Sequence, residues 1–402
     1  MPAEVADALA PFAGDGTVSP SALLRAADLS RVDPTFVRRA DSAGRRVAQF
    51  RRRGIGRAAA VAALMIVLTA LGGALWLHLR GRGTRTDTPP AQVSKEPFAN
   101  GEIARIGGHS APFTRAVLSP DCRRALVAGL DFNVHVWDLE KENAGDRVGD
   151  EIGQLKGHTA RPMSFAFARD GRRALSGGMD ATVRLWDLEQ ERLLRTFEKH
   201  TSWVRGVDFV AETGLALSAD NHGRVLLWDT RDGQLVHEFL GHEAAVFSVT
   251  ASSSGRLAVS ASEDRTVRVW NLPLIHEGHC LRGHEDRVTC SVLSEDDHLA
   301  VSGSVDQTVR VWDVAKEKEQ TRWVLRGHAA TINAVAISAD GRRALSADQA
   351  GAIRLWDLEN GEELRVYKTP VDQIIRNIAF CPDGRRIVSA GEDGVFRFWI
   401  LP

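Results

Sequence analysis

A tryptophan recurs along most of this 402-residue chain, at Trp137, Trp186, Trp228, Trp270, Trp312, Trp356 and Trp399. The intervals are 49, 42, 42, 42, 44 and 43 residues. A Gly-His or its remnant precedes six of them, at His109, His158, His200 (as Lys-His), His242, His284 and His328. A period of this length marks a chain built from repeated supersecondary units. The unit reads as β structure. In the fifth, "RVTCSVLS", "HLAVSGS", "TVRVWDV" and "RWVLRG" are short runs rich in Val, Thr, Leu and Trp, separated by the turn segments "EDD", "VDQ" and "KEKEQ". A single four-stranded sheet cannot bury both of its faces, so the sheets must pack face to face in a ring.

The segments "SPDCRRALVAG", "ARDGRRALSGGMDATVRLWDL" and "SADGRRALSADQAGAIRLWDL" make residues 97 to 402 resemble a WD40 β-propeller, an all-β fold here with seven blades. Residues 1 to 96 lie outside the resemblance. The stretch "GEIARIG" before Gly108 has no blade of its own, and the chain ends at "GVFRFWILP", just after the third strand of the seventh unit. The resemblance implies that the N-terminal strand completes the last blade.

Within "VSGSVDQTVRVWD", Ser302 and Asp306 combine with His284 to give the three side chains of a hydrolase triad. Repetition argues against chemistry. The tenth residue before each tryptophan is Ser in six units (Ser176, Ser218, Ser260, Ser302, Ser346 and Ser389), and the sixth is Asp in five (Asp131, Asp180, Asp264, Asp306 and Asp393). A triad is needed once, whereas the full constellation is written three times. By similarity to WD40 proteins, the sets His158, Ser176, Asp180, Trp186, then His242, Ser260, Asp264, Trp270, and His284, Ser302, Asp306, Trp312 form hydrogen-bonded tetrads inside blades. A buried indole N–H, hydroxyl and imidazole each need a partner. A serine nucleophile needs an exposed position, an oxyanion hole and a pocket. No catalytic residue is expected.

Four units depart from the pattern: Val127 replaces Ser in the first, His222 and Ala350 replace Asp in the third and sixth, and the seventh has "YKTP" in place of Gly-His. Those blades are expected to rest more on packing than on polar bonds. Blade seven and the closure are expected to be the weak point.

Charge and cysteines narrow the function. Residues 1 to 96 hold 14 Lys/Arg against 8 Asp/Glu, which leaves the remainder mildly acidic within a net charge of -1. An acidic ring offers no footprint for nucleic acid. Cys122, Cys280, Cys290 and Cys381 show no metal-ligand spacing and are too sparse for a disulfide scaffold. They read as small buried hydrophobes. Neither metal nor cofactor is expected.

From Ala58 to Leu79, "AAAVAALMIVLTALGGALWLHL" runs 22 residues without a charge. At ~1.5 Å per residue it is long enough to cross a ~30 Å hydrocarbon core, and it is read as a transmembrane helix. Eight arginines lie between Arg38 and Arg57, against Arg80, Arg82, Arg85 and Lys95 on the far side. The positive-inside rule then places residues 1 to 57 in the cytoplasm and residues 97 to 402 outside it. Phe36, Ala40, Ala43, Val47 and Phe50 follow helical spacing, which predicts a basic amphipathic helix that could rest on the inner leaflet. Residues 80 to 96 are rich in Gly, Thr and Pro and read as a flexible tether.

WD40 rings bind proteins or peptides mainly on one face. Carried over by position, the side chains concerned are the third and fifth after each His and the one before the Asp position. Units two to four supply Arg161, Met163, Met179, Trp203, Arg205, Asn221, Phe247 and Glu263, types enriched in interface hot spots. Arg287 and Arg376 could extend the surface, while Pro112, Thr114, Thr289, Thr331 and Asn333 are bland. The expected function is a membrane-tethered scaffold or sensor without enzymatic activity. The rivals are a signalling regulator acting through residues 1 to 57, and an enzyme using the central channel.

Overall fold

A computed structural model describes residues 102–402, apart from 108–114, 130, 141, 144–145, 148–149, 212, 317–320 and 370–372. They belong to the second of two units into which the chain divides, Pro89–Pro402. The leader, span and tether expected over residues 1 to 57, 58 to 79 and 80 to 96 lie outside the described residues. Among those described, no helix is long and apolar enough to cross a membrane.

Seven antiparallel sheets of four strands account for the repeats. In blade five the strands run, from the central channel outward, Val288–Leu293, Leu299–Ser304, Val309–Asp313 and Thr321–Leu325. The long first interval between tryptophans has a local cause: a two-residue hairpin, Glu142–Asn143 with Asp146–Arg147, is inserted before the outer strand Asp150–Leu155 of blade one. Closure follows the expected route. Strand Glu102–Gly107 pairs with the last strand, Val395–Ile400, opposing Ile106 to Phe396 and Ala104 to Phe398.

The core is divided among the seams between blades. Each of seven apolar clusters joins one blade to the next, and each holds one of the repeating tryptophans. Trp186 of blade two packs on Leu126, Val134, Val136 and Leu155 of blade one. Trp137 closes the ring against Val388, Ala390, Phe396 and Phe398 of blade seven. All seven indoles are at most 4% exposed, so every seam has a large anchor. Outer-strand rings meet these indoles, as Phe197 does Trp228 and Phe239 does Trp270, both with centroids 5.2 Å apart. Such tilted pairs add about 0.5–1.5 kcal/mol beyond area burial.

The glycine of Gly-His has a steric role. Gly283 has φ +152°, and a Cβ there would come 2.6 Å from Nη1 of Arg310, whose side chain crosses the turn. Blade three carries Lys199 instead of Gly, and the position matching Arg310 holds Leu226; the arginine that reaches this turn is Arg224, which donates to the Lys199 carbonyl at 2.9 Å. Of the cysteines, all four are free; Cys122 and Cys381 are buried as expected, but Cys280 and Cys290 are only half-buried.

Candidate functional site

The Ser-His-Asp sets have the bond order of a hydrolase triad. In blade five, Trp312 Nε1–H donates to Ser302 Oγ (2.8 Å), Ser302 pairs with His284 Nε2 (2.8 Å), and His284 Nδ1 pairs with Asp306 (2.8 Å). One proton assignment satisfies all of these bonds: the hydroxyl donates to Nε2, and Nδ1–H donates to the carboxylate. Blades two and four repeat the chain through Trp186, Ser176, His158 and Asp180, and through Trp270, Ser260, His242 and Asp264, at 2.6–2.9 Å. Ser176, Ser260 and Ser302 are 0% exposed and each already accepts an indole N–H. A hydroxyl so placed cannot reach a substrate, and the sets act as joints that fix the tryptophan seated in the seam with the preceding blade.

Two expected departures are corrected. Blades three and six have complete tetrads, because Asp220 and Asp348, two residues after the serine rather than four, take the histidine. His200 Nδ1 lies 2.7 Å from Asp220, and His328 Nδ1 lies 2.7 Å from Asp348; Ser218 and Ser346 complete each set with Trp228 and Trp356. His222 points away, exposed and 3.3 Å from Thr201. Both short-spaced aspartates are buried on the second strand and also accept backbone N–H bonds from the following turn.

Blade seven is corrected too. It keeps the Trp399–Ser389 bond at 3.0 Å and replaces the histidine network with buried Arg397, which pairs with Asp393 and lies 3.8 Å from Glu102 of the closing strand. The closure therefore carries charge as well as packing. Blade one has Val127 in the serine column, and His135 spans Asp131 (3.1 Å) and Glu151 (2.8 Å). Burial opposes charge on His135, but bonds to Glu151 and Asp131 win and raise its pKa. For Asp180, Asp264 and Asp306 burial opposes ionisation, yet the bonded histidine and neighbouring donors outweigh it and hold each carboxyl well below the ordinary range. Burial lowers the His284 imidazole against the pull of Asp306.

A second constellation sits at one mouth of the channel. In blades two to seven the register of the innermost strand slips at one residue, for example between Val204 and Gly206. The residues skipped are Met163, Arg205, Phe247, Thr289, Asn333 and Arg376. A bulge re-aims the extra side chain, and all six line the channel. The positions three after each histidine and one before the aspartate are tied by main-chain bonds: Met179 N to Arg161 O (2.9 Å), Asn221 N to Trp203 O (3.0 Å) and Glu263 N to Ala245 O (2.8 Å).

Trp203, Arg205, Asn221, Phe247 and Glu263 come together. The Arg205 guanidinium lies 5.4 Å from the Trp203 ring centre and 5.2 Å from that of Phe247. Its Nε donates to Asn221 Oδ1 at 2.7 Å, and Glu263 offsets part of the fall in its pKa that burial causes. Arg287 extends the group 3.8 Å from Glu263. Trp203 remains 40% exposed, so it does not fold inward. Met163 shares the channel lining with Arg205 and Phe247. Arg161 and Met179 are half-buried and make no ring, ion-pair or hydrogen-bond contact with the stack among the described residues.

A family described as WD domain, G-beta repeat matches residues 101–138, 149–187, 191–229, 233–271, 276–313, 319–357 and 361–399. The chain belongs to the WD40 family. Each match takes in the outer strand of one blade and the three inner strands of the next, so the seven matches are offset from the seven blades by one strand, and no curated protein matches the chain. WD40 rings are generally interaction scaffolds without enzymatic activity. Among the described residues of this one, no group of His, Cys, Asp or Glu is gathered as a metal site.

The WD40 motif did not point to Arg115. It stands one place beyond Thr114, opposite Ala128, in a register column otherwise occupied by Ser164, Gly206, Ser248, Cys290, Ala334 and Asn377. One arginine in a column of small or uncharged residues was the available signal.

The corrected tetrads give a direct test. Asp220→Ala and Asp348→Ala should each destabilise the ring as much as Asp306→Ala, by about 1–3 kcal/mol, because each leaves a buried imidazole N–H unpaired. His222→Ala should change the urea midpoint little. A neutral Asp220→Ala would contradict the assignment.

Proposed function

We propose that this WD40 protein is a membrane-tethered scaffold or sensor that binds a protein or peptide on the face centred on Trp203, Arg205 and Phe247. The observation that carries this reading is the aromatic–guanidinium–aromatic stack with Trp203 left in solvent. Arginine held between two rings is pre-organised, so little side-chain freedom is lost when a partner arrives. An exposed tryptophan beside it supplies the type of side chain that dominates interface energetics. Arg161, Met163, Met179, Asn221, Glu263 and Arg287 form the surroundings of this centre.

The tether rests on the sequence. Residues 58 to 79 are the span, residues 1 to 57 lie in the cytoplasm, and the ring is held outside it. A Trp203→Ala, Arg205→Ala double variant should lose partner capture in a crosslinking pull-down from cells while its melting curve is kept. Full capture by that variant sinks the binding face. Protease added to intact spheroplasts should digest the ring. Digestion only after the inner membrane is ruptured would reverse the orientation without touching the binding face.

A further inference from the structure

Three arginines converge on the channel mouth. Arg205 and Arg376 project from bulges on blades three and seven, and Arg115 enters from blade one; all three line a cavity of about 360 Å³. They differ in what already balances them. Arg376 lies 3.2 Å from Glu392, and Arg205 holds Asn221 with Glu263 nearby. The Arg115 side chain has no ion pair or hydrogen bond among the described residues. Burial, then the charges of Arg376 and Arg205, lowers its pKa to about 10, which still leaves it charged at neutral pH. It lines the same cavity as Cys290 of blade five. The small residues of its register column leave the space for it to do so.

Among the described residues the wall contains one carboxylate, Asp208, and it does not neutralise this cluster. It lies three residues beyond Arg205 on the strand Val204–Val210, roughly 10 Å at strand rise, and accepts the backbone N–H groups of Ala251 (2.8 Å) and Phe209 (2.9 Å). Burial pushes its carboxyl up to about 7, against those two bonds. Among the described residues the channel therefore has a positive mouth with about one uncompensated charge. An unpaired charge partly withdrawn from water costs stability unless something arrives to pair it.

We propose that the channel mouth binds the carboxylate of an acidic side chain, inserted by an extended peptide that lies across the Trp203–Phe247 face. This deepens the binding reading above and rests on it. Arg205 belongs to both the stack and the mouth, so a chain on the face borders the cavity that Arg115 also lines. A surplus of about one charge suits a carboxylate, since a phosphate monoester brings about −1.5 to −2.

The test uses the full chain in detergent micelles and ten-residue peptides with randomised flanks whose central residue is Glu, Gln or phosphoserine. Glu peptides should bind roughly tenfold or more tighter than Gln peptides, and Arg115→Met should abolish that preference. The variant removes an unpaired, half-buried charge, so its melting midpoint should be unchanged or higher, and loss of folding does not confound the result. Equal binding of Glu and Gln peptides, or a preference that survives Arg115→Met, overturns the proposal. Phosphoserine peptides binding tighter than Glu peptides would overturn the choice of carboxylate. Free acetate at millimolar concentration shifting the midpoint as far as the Glu peptides would overturn the peptide. Trp203→Ala should weaken Glu and Gln peptides alike. Charge-blind binding that depends on Trp203 leaves the face standing and removes the anion site, while no binding of any peptide removes both.

Discussion

No blade of this ring can bury both of its faces, and the indole placed in each seam is what resolves that constraint. Trp186, Trp228, Trp270, Trp312 and Trp356 each donate to a serine of their own blade while packing on the blade before. The polar joint fixes the ring orientation, and the apolar contact then fixes the angle between blades. Each bond contributes only about 1 kcal/mol net. Its larger effect is to select one packing of the seam among several that area burial alone would permit. In a repeat array each unit contacts only its neighbours, so the closing strand and the Arg397–Asp393–Glu102 group are what turn seven such seams into one cooperative body.

The same architecture explains why the binding chemistry collects where it does. The joints consume the histidines, serines and aspartates, leaving them paired and out of reach. In blades two to seven the bulge at the start of the innermost strand leaves one side chain unused by the core and turned to the mouth. That position holds Met, Arg, Phe, Thr and Asn, none of them part of the apolar clusters of the seams. It is therefore the natural place for specificity, although Thr289 and Asn333 bond main-chain oxygens of the next blade.

Much of this was legible in the sequence. The tryptophan period and the valine-rich runs implied seven sheets, and the unpaired stretch before Gly108 implied the closure. The reading failed where a fixed offset stood in for geometry. Asp220 and Asp348 lie two residues after the serine instead of four, yet their carboxylates reach the same imidazole nitrogen because that turn brings both offsets near it. Blade seven reads as lacking its network because an arginine from the third strand, not a histidine from the first turn, holds Asp393. Arg115 belongs to no motif position, and only cross-strand register shows it to be the one charged member of its column. The candidate binding side chains were singled out by position, but that Arg205 would lie between two rings depends on the bulge, which no local pattern announces.

The central claim is that the Ser-His-Asp sets are closed structural joints, and hydrogen exchange of the indole N–H groups measures it most directly. The indole protons of Trp186, Trp228, Trp270, Trp312 and Trp356 should exchange only through opening of the whole ring, with one common protection factor, while exposed Trp203 exchanges at close to the rate of a free side chain. Rapid exchange at Trp312, with slow exchange at the other four, would mean that the blade-five serine is open to solvent and would contradict the account.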